Sequence, residues 1–195
     1  MFGAPFQLMD ALMAALVAGV LAQAGDRPAW LVAILADRWR PMPVIVAAGL
    51  ALAVASAVAV VGGVLLAPML SERAARLFLA LALTVQGVAQ VWPVRAPERL
   101  DRWRIGRAAT AFLGLLILFA GDGLQFIVLA LAAGTELPWL AGMGATVGAL
   151  AAIVPAAVLG EAGWTRLPLT AIRRGAAVPL LLAGSWLGLG TLGLI

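Results

Sequence analysis

Two aspartates, Asp26 and Asp122, lie inside stretches that otherwise read as lipid-soluble: LVAGVLAQAGDRPAWLVAILA around the first and AFLGLLILFAGDGLQFIVLALAAG around the second. Each follows a glycine, Gly25 and Gly121. A carboxylate at membrane depth costs about 2.5 kcal/mol or more even on insertion scales. Nothing about a helical span requires that cost twice at matching places, so each acid reads as a cation or proton site. Amides gather nearby. Gln23 precedes Asp26 by three residues and Gln125 follows Asp122 by three, so on a continuous helix each pair shares a face. Gln86 and Gln90, four apart, share another. Two carboxylates and several amide oxygens form the oxygen-rich set that a divalent cation accepts. For Gln86 and Gln90, hydrogen-bonding glue between helices is an equally good reading.

The elements that must position these groups follow from composition. The chain has 195 residues, 64% hydrophobic and only 11% charged, whereas soluble domains are about half apolar and a quarter charged. An integral membrane protein is therefore expected, and the net charge of +4 is no sign of nucleic-acid binding. All 13 basic residues are arginines, which reads as a coding bias. With no Cys and no His, disulfides, thiolate or imidazole metal sites and Ser-His or Cys-His catalysis are excluded. Any metal must use oxygen ligands, which suit Mg, Ca or Mn. No nucleophile–base set or phosphate loop is present, so an enzyme is not expected.

About 20 apolar residues cross a bilayer. Residues 44–67, 77–94, 137–160 and 175–195 are charge-free, and 7–36 and 108–134 carry the aspartates, so the reading is an all-α integral membrane protein of six transmembrane helices. Ala22-Gln23-Ala24 imitates a signal-peptidase site, but the first ten residues hold no basic charge, so a retained helix is expected. Arg38, Arg40, Arg95, Arg99, Arg102, Arg104, Arg107, Arg166, Arg173 and Arg174 fall on one side of the membrane, Arg73 and Arg76 on the other. The positive-inside rule then places the Arg-rich side in the cytoplasm and both termini outside, in a bacterial inner membrane. Trp39, Trp92, Trp103 and Trp164 read as an inner aromatic belt, Trp139 as an outer marker.

A shift of 96 residues lays Gly25-Asp26 on Gly121-Asp122. An apolar run follows each pair, then a turn ending at Pro43 or Pro138, then a span dense in Gly and Ala. Such small residues let helix backbones approach closely in lipid, so these second spans should be central. The chain divides into a first three-helix repeat (1–94), a cytoplasmic Arg-rich linker (95–107) and a second three-helix repeat (108–195). An odd span number per repeat inverts the second copy, the plan of many secondary transporters. Pro28 removes a backbone donor and disfavours helix at Arg27. A break at Gly25-Asp26-Arg27-Pro28 is expected, with Asp26 capping a second half-helix and Arg27 paired to Asp26 or Asp122.

With these features the chain resembles uncharacterised protein family 0016, that of transmembrane protein 165 and the Gdt-type cation/proton exchangers, within the lysine-exporter superfamily. Its signature is E-x-G-D-[KR]-[ST], once per repeat. Here the copies read Gln23-Ala24-Gly25-Asp26-Arg27-Pro28 and Phe119-Ala120-Gly121-Asp122-Gly123-Leu124, with Gln125 matching a frequent following Gln. Gln23 and Phe119 stand where the motif has glutamate, Gly123 where it has its second basic residue, and Pro28 and Leu124 where it has hydroxyls. The resemblance implies Mn²⁺ or Ca²⁺ exchanged for protons, no resident cofactor, Asp26 and Asp122 as metal ligands and proton carriers, and Gly25, Arg27, Pro28 and Gly121 as motif support. Two carboxylates neutralise one divalent ion but leave fewer proton-binding groups for the return step. The expected function is a secondary transporter exporting a divalent cation, most readily Mn²⁺. A non-transporting subunit or regulator, or an exporter of another small solute, stays open. So does a homodimer.

Overall fold

A computed structural model describes the backbone of residues 4–194 and the side chains of residues 11–194. Among the described residues every regular element is helical: α1 (Ala4–Gln23), α2 (Arg27–Trp39), α3 (Pro41–Leu66), α4 (Glu72–Val91), α5 (Arg107–Ala120), α6 (Gly123–Ala133), α7 (Pro138–Arg166) and α8 (Leu169–Leu192), with a short 3₁₀ turn at Ala67–Met69. Helix is the form in which an apolar segment satisfies its own backbone in lipid. Prolines open α2, α3 and α7 within the first turn, where the missing N–H costs nothing. Ser71 caps α4 by accepting from Ala74 N at 3.2 Å.

Four helical segments are long and apolar enough to cross a membrane: Pro41–Met69, α4, α7 and α8. A fifth forms if α5 and α6, bent by 64°, are taken together. The six spans read from hydropathy therefore become four or five by length and composition. The difference lies in the first segment: the apolar helix Ala11–Gln23 is short, and α2 has only 13 residues with Arg27, Asp37 and Arg38 in it.

Each broken segment packs on the long helix of the other half. α7 runs along both α1 and α2; α3 runs along both α5 and α6; α3 and α7 touch one another, and α4 lies against α8. This makes α3 and α7 central, as their small residues imply. Buried Ala47, Ala48, Ala51 and Ala55 of α3 and Ala141, Ala145 and Ala149 of α7 join one alanine-rich core. Outside it, Val46, Leu50, Val54 and Val58 form an exposed apolar row on α3. A helix apolar on all sides suits lipid as its outer solvent.

Several expected loops are helical instead. α2 and α3 together span most of 36–43, and the expected loop at 161–174 shrinks to Leu167 and Pro168 between α7 and α8. α7 continues past its charge-free run because a kink at Gly160 (φ 65°, ψ −179°) is capped: Asp37 accepts from Glu161 N at 2.7 Å. Trp164 is buried in the core at 5% exposure, so it is not a belt residue. The segment 92–106 is irregular but tied down. Arg38 pairs with Asp101 and donates to the Arg99 carbonyl at 3.0 Å, Arg99 pairs with Glu161, and Leu100 is buried against α5.

Candidate functional site

The two Gly-Asp pairs are the two helix breaks. α1 ends at Gln23, and Gly25 turns the chain at φ +73° so that Asp26 can start α2. A side chain is disfavoured there twice over: by the left-handed backbone, and because a Cβ would meet Arg173 Cγ at 3.2 Å and the Leu169 carbonyl at 3.3 Å. Asp26 Oδ1 accepts from Arg27 N at 2.8 Å. Equivalently, α5 ends at Ala120 and Asp122 caps α6, accepting from Leu124 N at 3.4 Å. At each break a helix C-terminus, with carbonyls facing outward and partial negative charge, meets a capped N-terminus. Half-helix ends of this kind bind ions in transporters.

Both aspartates line one cavity of about 430 Å³, together with Arg27, Pro28, Gln86, Gly121, Gly123 and Arg173. It runs from the breaks to Trp92, Pro93 and Val94 at the end of α4, toward the Arg-rich side. Asp122 is buried, and its Oδ2 accepts from Gln23 Nε2. An ionised carboxylate only accepts, so the amide nitrogen must face it and Gln23 Oε1 points elsewhere. Asp26 is met by Arg173, whose Nη1 donates to Oδ1 at 2.8 Å. This corrects two readings. Arg27 is exposed and makes no ion pair among the described residues. Arg173, read as a loop anchor, is 4% exposed in the second turn of α8.

The glutamines divide. Gln90 Nε2 donates to the carbonyls of Leu21 (2.7 Å) and Ala22 (2.9 Å), and Gln86 Nε2 to Ala22 at 3.4 Å. Both tie α4 to the open end of α1, as the glue reading has it. Gln86 also borders the cavity, where its Oε1 occupies the space a Cβ on residue 123 would need. That contact is a physical reason for Gly123 at a motif position that elsewhere holds a basic residue. Gln125, whose backbone N–H donates to the Asp122 carbonyl at 3.1 Å, is buried and does not line the cavity. Neither of its amide atoms, nor Oε1 of Gln23 or Gln90, has a hydrogen-bond partner among the described residues. Buried amides left so are costly unless they meet a ligand or water. No cluster of three or more carboxylates occurs among the described residues, so amide and main-chain oxygens must complete any cation shell here.

On the far side of the breaks lies an apolar layer. Ala18 of α1, Ala82 of α4, and Ile127 and Ala130 of α6 form a small buried cluster, backed by Phe78, Leu79, Leu83 and Leu131. On α4 and α6 it lies past the residues of the first cavity, Gln86 and Gly123, and its Leu79, Ala130 and Leu131 border a second cavity of about 660 Å³, lined also by Ala14, Glu72, Arg76, Thr135 and Glu136. One cavity thus lies at the breaks and another beyond the apolar layer.

A multi-pass helical membrane protein with an acid at each of two paired helix breaks is the class that fold and site define. The chain belongs to the divalent cation/proton antiporter GDT1 family, whose sequence model matches residues 11–98. It is 31% identical over 183 residues, 90% of this chain and 88% of the other, to a protein of Vibrio cholerae serotype O1 described as "Putative manganese exporter". No solved structure matches.

Proposed function

We propose that the protein carries Mn²⁺ outward across a bacterial inner membrane in exchange for protons, binding the ion between Asp26 and Asp122. The observation that carries this reading is the shared cavity: two carboxylates from two helix breaks, 96 residues apart in sequence, line the same space. Two negative charges match one divalent ion, Gln86 offers an amide at the cavity wall, and Gln23 and Gln125, whose amide oxygens have no partner among the described residues, would turn theirs to the ion. Gln90 is assigned to holding α1 on α4. The name of the Vibrio relative favours manganese over calcium as cargo.

The reading includes α1 and α2 as a sixth, broken span matching α5 and α6, and two inverted three-helix repeats (1–94 and 108–195) joined by a cytoplasmic linker. The reciprocal packing of α7 on α1–α2 and of α3 on α5–α6 supports that relation. With the Arg-rich side cytoplasmic, the 430 Å³ cavity opens inward and the apolar layer of Ala18, Ala82, Ile127 and Ala130 closes the outward path. Alternating access then needs that layer to part while the inner cavity closes. Aspartates that have released the ion take up protons for the return. One observation favours a second reading, a non-transporting membrane subunit: Asp26 is already engaged by Arg173.

Manganese sensitivity of an exporter-deficient bacterium separates the two. Protection by the wild type, lost in Asp26→Asn and Asp122→Asn, supports transport. Equal protection by the double variant refutes the site, and no protection by an expressed wild type supports the subunit reading.

A further inference from the structure

We infer that Arg173 is a tethered cation that occupies Asp26 in the unloaded site and must leave it when a divalent ion binds, so that it sets cation affinity and couples loading to α8. This rests on the cation-binding reading above and adds a residue to it.

The geometry gives Arg173 two sets of acceptors. One is Asp26 Oδ1 at 2.8 Å from Nη1. The other is the carbonyl end of α4: Nη2 donates to Ala89 O at 3.0 Å and Nε to Trp92 O at 3.4 Å. A helix C-terminus is a favourable seat for a cation, so the guanidinium has somewhere to stay when it gives up the carboxylate. Asp26 Oδ1 is filled by Arg27 N and Arg173, while Oδ2 accepts no hydrogen bond among the described residues. The carboxylate is therefore shared ground between Arg173 and the cavity.

Charge makes the sharing exclusive. Asp26, Asp122, Arg27 and Arg173 line one cavity, so its charged side chains already balance. A divalent ion added with Arg173 still in place makes the site net positive beside the buried Asp122 and Arg173, which is unfavourable without further anions. Release of Asp26 by Arg173 removes the nearest repulsion and frees a ligand oxygen. The movement is transmitted, because Arg173 Cγ and the Leu169 carbonyl both pack against Gly25 at the first break. Loading the ion loosens the start of α8 from that break, and unloading draws it back.

The test is calorimetric titration of MnCl₂ into the purified full-length protein in detergent, comparing wild type, Arg173→Gln, Arg173→Lys and Asp122→Asn. Coupling between sites typically amounts to about 5–150-fold, and R173Q is expected to bind Mn²⁺ about 10-fold tighter than wild type. R173K keeps the charge but not the planar fork that spans several acceptors, and it should fall between the two. A merely structural arginine gives the opposite sign, since its loss loosens the site. Equal or weaker binding by R173Q, or by R173K should R173Q not fold, overturns the inference. If D122N meanwhile abolishes binding, the cation site itself stands. Undetectable binding by every protein overturns both.

Discussion

Asp26 and Asp122 occupy matching motif positions, yet their neighbours make them unequal, and amide substitution exposes the difference. Asp26→Asn leaves Arg173, 4% exposed, without its counter-charge. Removing one partner of a buried ion pair costs about 3–5 kcal/mol. The lower end applies, because the Ala89 and Trp92 carbonyls still accept from the guanidinium and the Asp26 side chain is 16% exposed. About 3 kcal/mol corresponds to a Tm fall of roughly 6–12 °C for a chain of this length. Asp122→Asn behaves otherwise. Asn caps helices as well as Asp does, so its oxygen can take the Leu124 N–H. Gln23 can then turn its unpartnered Oε1 toward the new amide N–H. Two like charges on one cavity also become one. A loss below about 1 kcal/mol, or less than roughly 4 °C, is expected. The assay is thermal unfolding of both variants in the same detergent without added metal, with D26N/R173Q as the closing corner of a double-mutant cycle. The pair should recover most of the D26N loss. Equal Tm shifts for D26N and D122N, or no recovery in the double variant, refute the unequal pairing on which the site is built.

Other outcomes follow from the same contacts. Gln90→Leu removes two hydrogen bonds from the end of α1 and should cost about 1–3 kcal/mol of stability while leaving the Mn²⁺ affinity within a few-fold; abolished binding in a folded variant makes Gln90 a ligand instead. Gln23→Glu sets a second carboxylate beside Asp122. It should lower Tm without metal and enlarge the Mn²⁺-induced rise in Tm, since a ligand stabilises in proportion to RT ln(1 + [L]/Kd); an unchanged Mn²⁺ response argues that residue 23 lies outside the ion's reach. The chain has no cysteine, so single ones report cleanly. Ala89→Cys in the inner cavity should react with an impermeant maleimide only from the cytoplasmic face, and Thr135→Cys only from the opposite face. The reverse pattern inverts the topology.

How much of the fold and site is legible in the sequence depends on which contacts are local. The helix break at Gly25-Asp26 was legible because Pro28 and an N-capping aspartate act within one turn. The second break was missed: with no proline at Gly121-Asp122, residues 108–134 read as one span, whereas α5 ends at Ala120 and α6 starts at Gly123. Hydropathy found α3, α4, α7 and α8 but misjudged their ends. Capping of the Gly160 kink by Asp37 joins residues 124 apart in sequence, and no local rule reports it. Arg173 was missed for a related reason: next to a charge-free run, any arginine looks like an anchor. A signal was nevertheless present. Arg173, Ala176, Ala177, Leu180 and Gly184 fall on one helical stripe, and all are buried in α8. Stepping the helical periodicity back four residues from Ala177, just past the start of the apolar run, puts the arginine on the inward face. The even choice for Gln86 and Gln90 could not be narrowed from sequence, because the acceptors, the free carbonyls of Leu21 and Ala22, exist only once α1 has ended.

The central claim is that two carboxylates at paired helix breaks carry manganese against protons, and flux tests it most directly. Purified protein is reconstituted into liposomes holding a manganese-quenched dye, an imposed pH gradient drives exchange, and Asp122→Asn is the comparison, because its fold should be intact. The account requires Mn²⁺ entry that follows the size and direction of the pH gradient in wild type and vanishes in D122N. Manganese flux of equal rate in D122N, or no pH-driven flux through folded wild type, would contradict it.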